Sequence, residues 1–183
     1  MIFPPIPPWD GAHPILVHLP LGALPVAGLL ALCAMLSVKS RRAWAGATFL
    51  ALAFGTLGTV LAAMSGEATE QAVEIPAAAD RVFSEHEHLA EFTRNMFLVT
   101  SGGYVLVLGC ALIWKERFKR GMWIGAHIVF LGLFGYAFLN LANTGHLGGR
   151  LVHQYGVRAP IGAEPDAANA PPAADEAKPH KRK

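Results

Sequence analysis

The sequence is short of charge. Only 15% of its 183 residues are Asp, Glu, Lys or Arg, while 53% are hydrophobic, a balance too apolar for an ordinary soluble domain of this size. It has two cysteines, Cys33 and Cys110, in no zinc, thioredoxin or C-x-x-C-H spacing, so covalent c-type haem attachment is not expected and both thiols read as small packing residues. No glycine-rich phosphate loop appears, and no serine or cysteine stands in a nucleophile motif, which argues against a stand-alone enzyme. The one basic tract, "KPHKRK", is short and terminal, which argues against nucleic-acid binding. The start, "MIFPPIPPWD", lacks a basic stretch followed by a short apolar segment and a small-residue cleavage site. It is expected to be a proline-stiffened arm rather than a cleavable signal peptide.

Charge is missing altogether from four runs: Ile15 to Leu36, Trp44 to Met64, Met96 to Trp114 and Gly121 to Ala142. Each is about 19–22 residues, and a hydrocarbon core roughly 30 Å thick takes about 20 helical residues to cross. A soluble bundle would show a polar stripe in each run. The expected fold is therefore all-α, an integral membrane four-helix bundle with helices over about 14–37, 44–65, 85–115 and 121–143. The division is an arm at 1–12, the transmembrane domain at 13–158 and a tail at 159–183. The tail is rich in alanine and proline and lacks aromatics, so it is expected to be disordered.

Lys39, Arg41 and Arg42 follow the first run, and Lys115, Arg117, Lys119 and Arg120 follow the third. The other side carries Arg81, Arg94, Arg150 and Arg158. This excess places the two short loops in the cytoplasm and both termini outside, as expected for a multi-pass protein of a bacterial inner membrane. Pro20 and Pro25 each remove a backbone bond from the first helix, so its outer half should bend. Ala51, Gly55, Thr59 and Ala63 recur every four residues, and Gly121 and Gly125 repeat the spacing. Both read as surfaces for close helix packing. Ser84 with Glu87 has the form of a capping box, opening the third helix near residue 85 and lifting its first turns above the membrane. Glycines 145, 148 and 149 are expected to end the fourth helix and allow a turn.

The eight histidines are placed unevenly. His180 lies in the tail and His127 about two turns into the fourth helix from the cytoplasmic side. The other six, His13, His18, His86, His88, His146 and His153, fall near the outer surface from three separate segments. At 1.5 Å per residue, His18 lies about 5 Å inside the apolar slab, and His13, His146 and His88 lie about 3, 5 and 12 Å above it. Neutral imidazole is a good ligand for haem iron, copper and zinc. A haem in a four-helix bundle takes such ligands from different helices at compatible heights. His86 and His88 are about 200° apart on a helix and cannot easily share one ion. Glu85 with His88 makes a single Glu-x-x-His, and no second unit completes a di-iron site.

The segments "HPILVHLP", "EHEHLAEFTR" and "GHLGGRLVHQYGV" resemble the signatures of the bacterial membrane family catalogued as domain of unknown function 2231, over most of residues 11 to 158. The resemblance implies four helices. It equates His13 and His18 with the paired histidines of the first segment, His86 with the single histidine opening the third helix, and Gly148, Gly149 and His153 with the closing segment. His88 is extra to that pattern. Some members resemble cytochrome-associated proteins, which favours haem.

The expected function is b-type haem binding at the outer face, with His18 and one of His86, His88 or His146 as axial ligands. The haem would serve electron transfer between a membrane quinol and a periplasmic cytochrome or respiratory subunit. Two alternatives stand beside it. One is a cofactor-free structural or partner-binding subunit with interfacial histidines. The other is divalent-metal or proton handling through Glu67, Glu70 and the histidine band.

Overall fold

A computed structural model describes residues 6–114 and 119–160. The first residues of the expected arm, 1–5, the loop basic residues Lys115 and Arg117, and the expected tail from 161 onward lie outside the described residues. A single 3-10 turn, Trp9–Gly11, leads into α1 (His13–Leu16), α2 (His18–Leu36), α3 (Arg41–Ala72), α4 (Asp80–Ile113) and α5 (Arg120–Tyr155). Among the described residues there is no strand. Four helical segments, α1 with α2, α3, α4 and α5, are long and apolar enough to cross a membrane, so the chain is built for a lipid bilayer.

The break between α1 and α2 falls at Val17, in the N-terminal half of the first span, where bending was expected. Pro20 has no N–H to offer the carbonyl of Leu16, and the next bond, from Leu21 N–H to Val17 O, is stretched to 3.4 Å. The other three helices run past their apolar segments. They have 32, 34 and 36 residues and are about 48–54 Å long at 1.5 Å per residue, well over the roughly 30 Å of hydrocarbon.

These extensions revise three expected boundaries. First, α3 continues through Glu67 and Glu70 and stops only where Pro76 forces extended backbone on the preceding chain; Val73 already has φ −125° and ψ 148°. Second, α4 starts at Asp80, four residues before Ser84, so the Ser84–Glu87 pair lies inside the helix rather than at its cap. An acid in the first turn suits the helix dipole, and Arg81 pairs with Glu85 at 2.9 Å one turn on. Third, α5 keeps Gly145, Gly148 and Gly149 within the helix and ends at Gly156. That residue has φ 72°, the left-handed backbone that suits glycine at a helix end, and Val157 N–H reaches back to Leu151 O at 3.0 Å. Helical glycine costs about 1 kcal/mol relative to alanine. The last turns are held in place by Leu147 and Leu151, buried against Ala79 and Val82 of the α4 start.

The helices form two hairpins, α2 with α3 and α4 with α5. Contacts of α3 with α4 and of α2 with α5 close a four-sided ring, and among the described residues neither diagonal pair of helices comes into close backbone approach. The core is Leu24, Leu52, Phe97, Tyr104, Trp123, Phe130 and Phe134 among alanines. Small residues on α3 set the α2–α3 spacing. A Cβ on Gly55 would lie 2.6 Å from Leu24, and one on Gly58 would lie 2.8 Å from Leu19 Cβ and 2.9 Å from Pro20 N. Gly121 and Gly125 have open space around them and take no part in this packing. Because backbone cannot move aside as a side-chain tip can, Gly58→Ala is expected to push α2 off α3. The loss should be about 1–3 kcal/mol, read as easier unfolding in a denaturing-detergent titration.

At the end bearing the short loops, α5 is tied to α2. Arg120 donates to Ser37 O at 2.6 Å and Leu36 O at 2.9 Å, and Trp123 Nε1–H donates to Ala34 O at 2.8 Å. Arg41 lies over the Trp123 ring at 5.4 Å. His127 is fully buried here, with Nδ1–H on Trp123 O at 2.9 Å and Nε2 at 3.5 Å from the Tyr104 hydroxyl.

Candidate histidine site at the open end of the bundle

At the opposite end, the structure separates the six histidines into two inward and four outward. His13 and His86 are half-buried; His18, His88, His146 and His153 are exposed.

His13 is the first residue of α1. The turn ahead of it lies along α3, fastened by the Thr69 hydroxyl donating to Asp10 O at 2.6 Å. This swings the imidazole onto α3, where Nδ1 lies 2.8 Å from Ala62 O and 3.4 Å from Ser65 Oγ. His86 sits on the second turn of α4 and reaches α5, with Nδ1 3.0 Å from Thr144 O. Thr144 is itself held, its hydroxyl donating to Asn140 O at 2.8 Å and lying 3.2 Å from Thr93 Oγ.

The two contacts share one design. Each imidazole addresses a helix carbonyl, and four residues further along each helix is a glycine: Gly66 after Ala62, Gly148 after Thr144. A side chain at that position would lean back over the carbonyl. A Cβ on Gly66 would come within 3.3 Å of His13 Cε1, and one on Gly148 within 3.2 Å of His86 Cε1. The glycines are the slots in which the rings lie. Each hairpin supplies one copy, with the histidine at the start of its first crossing and the carbonyl and glycine near the end of its second.

The acceptor fixes the tautomer. A carbonyl only accepts, so Nδ1 carries the proton in both rings, and a neutral ring then presents a lone pair at Nε2. Neither Nε2 has a hydrogen-bond partner among the described residues, and neither is sealed from solvent. The rings are close enough for charge on His13 to be felt at His86. Anchoring one imidazole nitrogen on a carbonyl while the other stays free is the usual preparation of a metal-ligating histidine.

The description Predicted membrane protein (DUF2231) matches residues 10–160. The chain belongs to the DUF2231 family. No curated protein matches it, and no solved structure does. The match takes in both histidine–glycine slots of this DUF2231 chain.

The remaining expected site residues lie around the pair. His18 bonds its own helix, Nδ1–H to Pro14 O at 2.8 Å. His88 lines an open groove between α4 and α5, and His146 and His153 line a separate hollow of about 290 Å³ along α5. Glu67 approaches Arg94 at 3.9 Å, and Arg94 also approaches Glu91 at 4.0 Å. Glu70 feels the negative charges of Glu87 and Glu67. Among the described residues, no three His, Cys, Asp or Glu side chains are grouped to hold a metal ion. What the fold provides is one inward imidazole on each hairpin, each anchored on a helix carbonyl. Sequence reasoning missed Ala62, Ser65, Gly66 and Thr144. Only the glycines carried a signal, as small residues one turn beyond a position facing a histidine-bearing helix.

Proposed function

We propose that this DUF2231 protein is a b-type haem protein of membrane electron transfer, in which His13 and His86 would hold the haem iron. The observation that carries the reading is the pair of anchored imidazoles, one from each hairpin, both with Nε2 free. The donor set fits haem: neutral imidazole is a good ligand for its iron, and Gly66 and Gly148 keep the rings clear of neighbouring side chains. The hydrogen bonds from Nδ1–H to Ala62 O and Thr144 O orient the rings and raise the basicity of Nε2. Bound haem supplies one-electron chemistry between ferric and ferrous iron. The chain's own part is to hold the two rings and to exclude competing side chains from them.

The charge distribution along the sequence supports an inner-membrane location with this end toward the periplasm. A membrane quinol is then a natural electron donor, and a periplasmic cytochrome or respiratory subunit a natural acceptor. The test is an absorption spectrum of the full chain purified from haem-supplied cells, before and after dithionite. The expected result is a Soret band that sharpens and shifts on reduction, with haem near one per chain. Protein obtained in normal yield without a Soret band overturns the reading.

A further inference from the structure

On the two helices that hold the His86 slot, a groove of about 550 Å³ opens between α4 and α5. Its floor is apolar, formed by Leu89, Phe92 and Leu147. Its polar side chains are Ser84, His88 and Asn143, none of which has a hydrogen-bond partner among the described residues. Glu85, also at its edge, is occupied by Arg81 at 2.9 Å. Asn143 is the first residue past the apolar run of α5, and Phe92 precedes the apolar run of α4 by one turn, so the lower end of the groove meets the level where the hydrocarbon ends and the rest lies above it. Below it, Phe92 meets Tyr136 edge-on, with ring centroids 6.2 Å apart, which continues the apolar wall into the membrane.

We propose that this groove binds the head group of a membrane quinone. The hydroxyl of Ser84, an imidazole N–H of His88 and the amide of Asn143 are hydrogen-bond donors, and the two ring oxygens of a quinone are acceptors. The flat ring suits the Phe92 and leucine floor, and an isoprenoid tail leaves along the Phe92–Tyr136 wall without crossing water. Charge distinguishes this occupant from a phospholipid. The groove's edge and its surroundings on α4 carry Glu85, Glu87 and Glu91 against Arg81 and Arg94, a net negative balance that disfavours an anionic phosphodiester and leaves a neutral ring unaffected. The proposal rests on the redox reading for its purpose, since it places a two-electron carrier on the helices that hold the His86 slot. Its chemistry does not depend on haem.

The experiment reads quinone binding without haem. The full chain is placed in phosphatidylcholine nanodiscs, and uptake of a decyl-tailed benzoquinone is measured by equilibrium partition against empty discs. The expected result is saturable uptake at about one per chain. His88→Leu and Asn143→Leu should each weaken it about tenfold through loss of one hydrogen bond, and His153→Leu, in the neighbouring hollow, should leave it unchanged. His88 and Asn143 are exposed and unpartnered, so both variants keep the fold. Uptake no greater than in empty discs, or native uptake by both variants, overturns the proposal. So does stoichiometric displacement of the quinone by phosphatidylglycerol, which assigns the groove to lipid. Chains that lack a Soret band yet take up quinone with this dependence on His88 and Asn143 uphold it and sink only the haem reading.

Discussion

Alanine at either His13 or His86 is expected to remove the Soret band from haem-supplied protein while the four helices stay folded. Each ring gives one hydrogen bond to a carbonyl that keeps its place in its helix, so truncation costs the fold only about 1 kcal/mol. On the proposed haem reading the cost to ligation would be far greater, because the iron would lose a nitrogen that the fold had already oriented. His88→Ala and His153→Ala serve as controls, since both side chains are exposed and outside the pair; they should retain native haem content. Haem-to-protein ratio and helical circular dichroism, measured on the same samples, separate loss of cofactor from loss of structure. Unchanged haem in both His13→Ala and His86→Ala would refute the assignment of these two ligands.

The second large effect comes from residues that bear no ligand atom. Leucine at Gly66 or Gly148 is expected to expel the facing imidazole, because even a Cβ there would stand 3.3 or 3.2 Å from the ring. Haem content should fall about as far as in the alanine variants. Stability should move the other way or not at all, since leucine is a better helix former than glycine by somewhat under 1 kcal/mol. This split between binding and stability distinguishes a slot from a packing contact, where both properties would fall together. Gly149→Leu is the matched control: it is adjacent, helical and has open space where the side chain would go. Haem content equal to wild type in Gly66→Leu and Gly148→Leu, with native helix content, contradicts the role given to the slots.

Much of the architecture was legible because a bilayer imposes one simple demand, an uncharged run long enough to cross it. The four runs met that demand, and the bend near Pro20 followed from a missing N–H. The helix ends were less legible. Gly145, Gly148 and Gly149 carry the composition of a stop, but a glycine ends a helix only when the chain turns there. Contacts of Leu147 and Leu151 with the start of α4 keep it straight for three more turns. Angular spacing separated His86 from His88 but did not choose between them; the choice depends on where α4 lies against Thr144. The acceptors of both anchored rings are backbone atoms, and every residue has a carbonyl, so Ala62 and Thr144 left no mark in the pattern of residue types.

One feature of the ring of helices bears on movement. The hairpins are clasped firmly at the short-loop end, where Arg120 and Trp123 bind the last carbonyls of α2. At the histidine end, the polar link between α3 and α4 is the long Arg94–Glu67 pair at 3.9 Å, its glutamate exposed, the kind of contact that contributes little. Each imidazole is fastened within its own hairpin. The two hairpins are thus tied more strongly at one end than at the other, where each carries its imidazole. A separation of the hairpins at the histidine end would part the two rings without breaking either ring's bond to its own carbonyl.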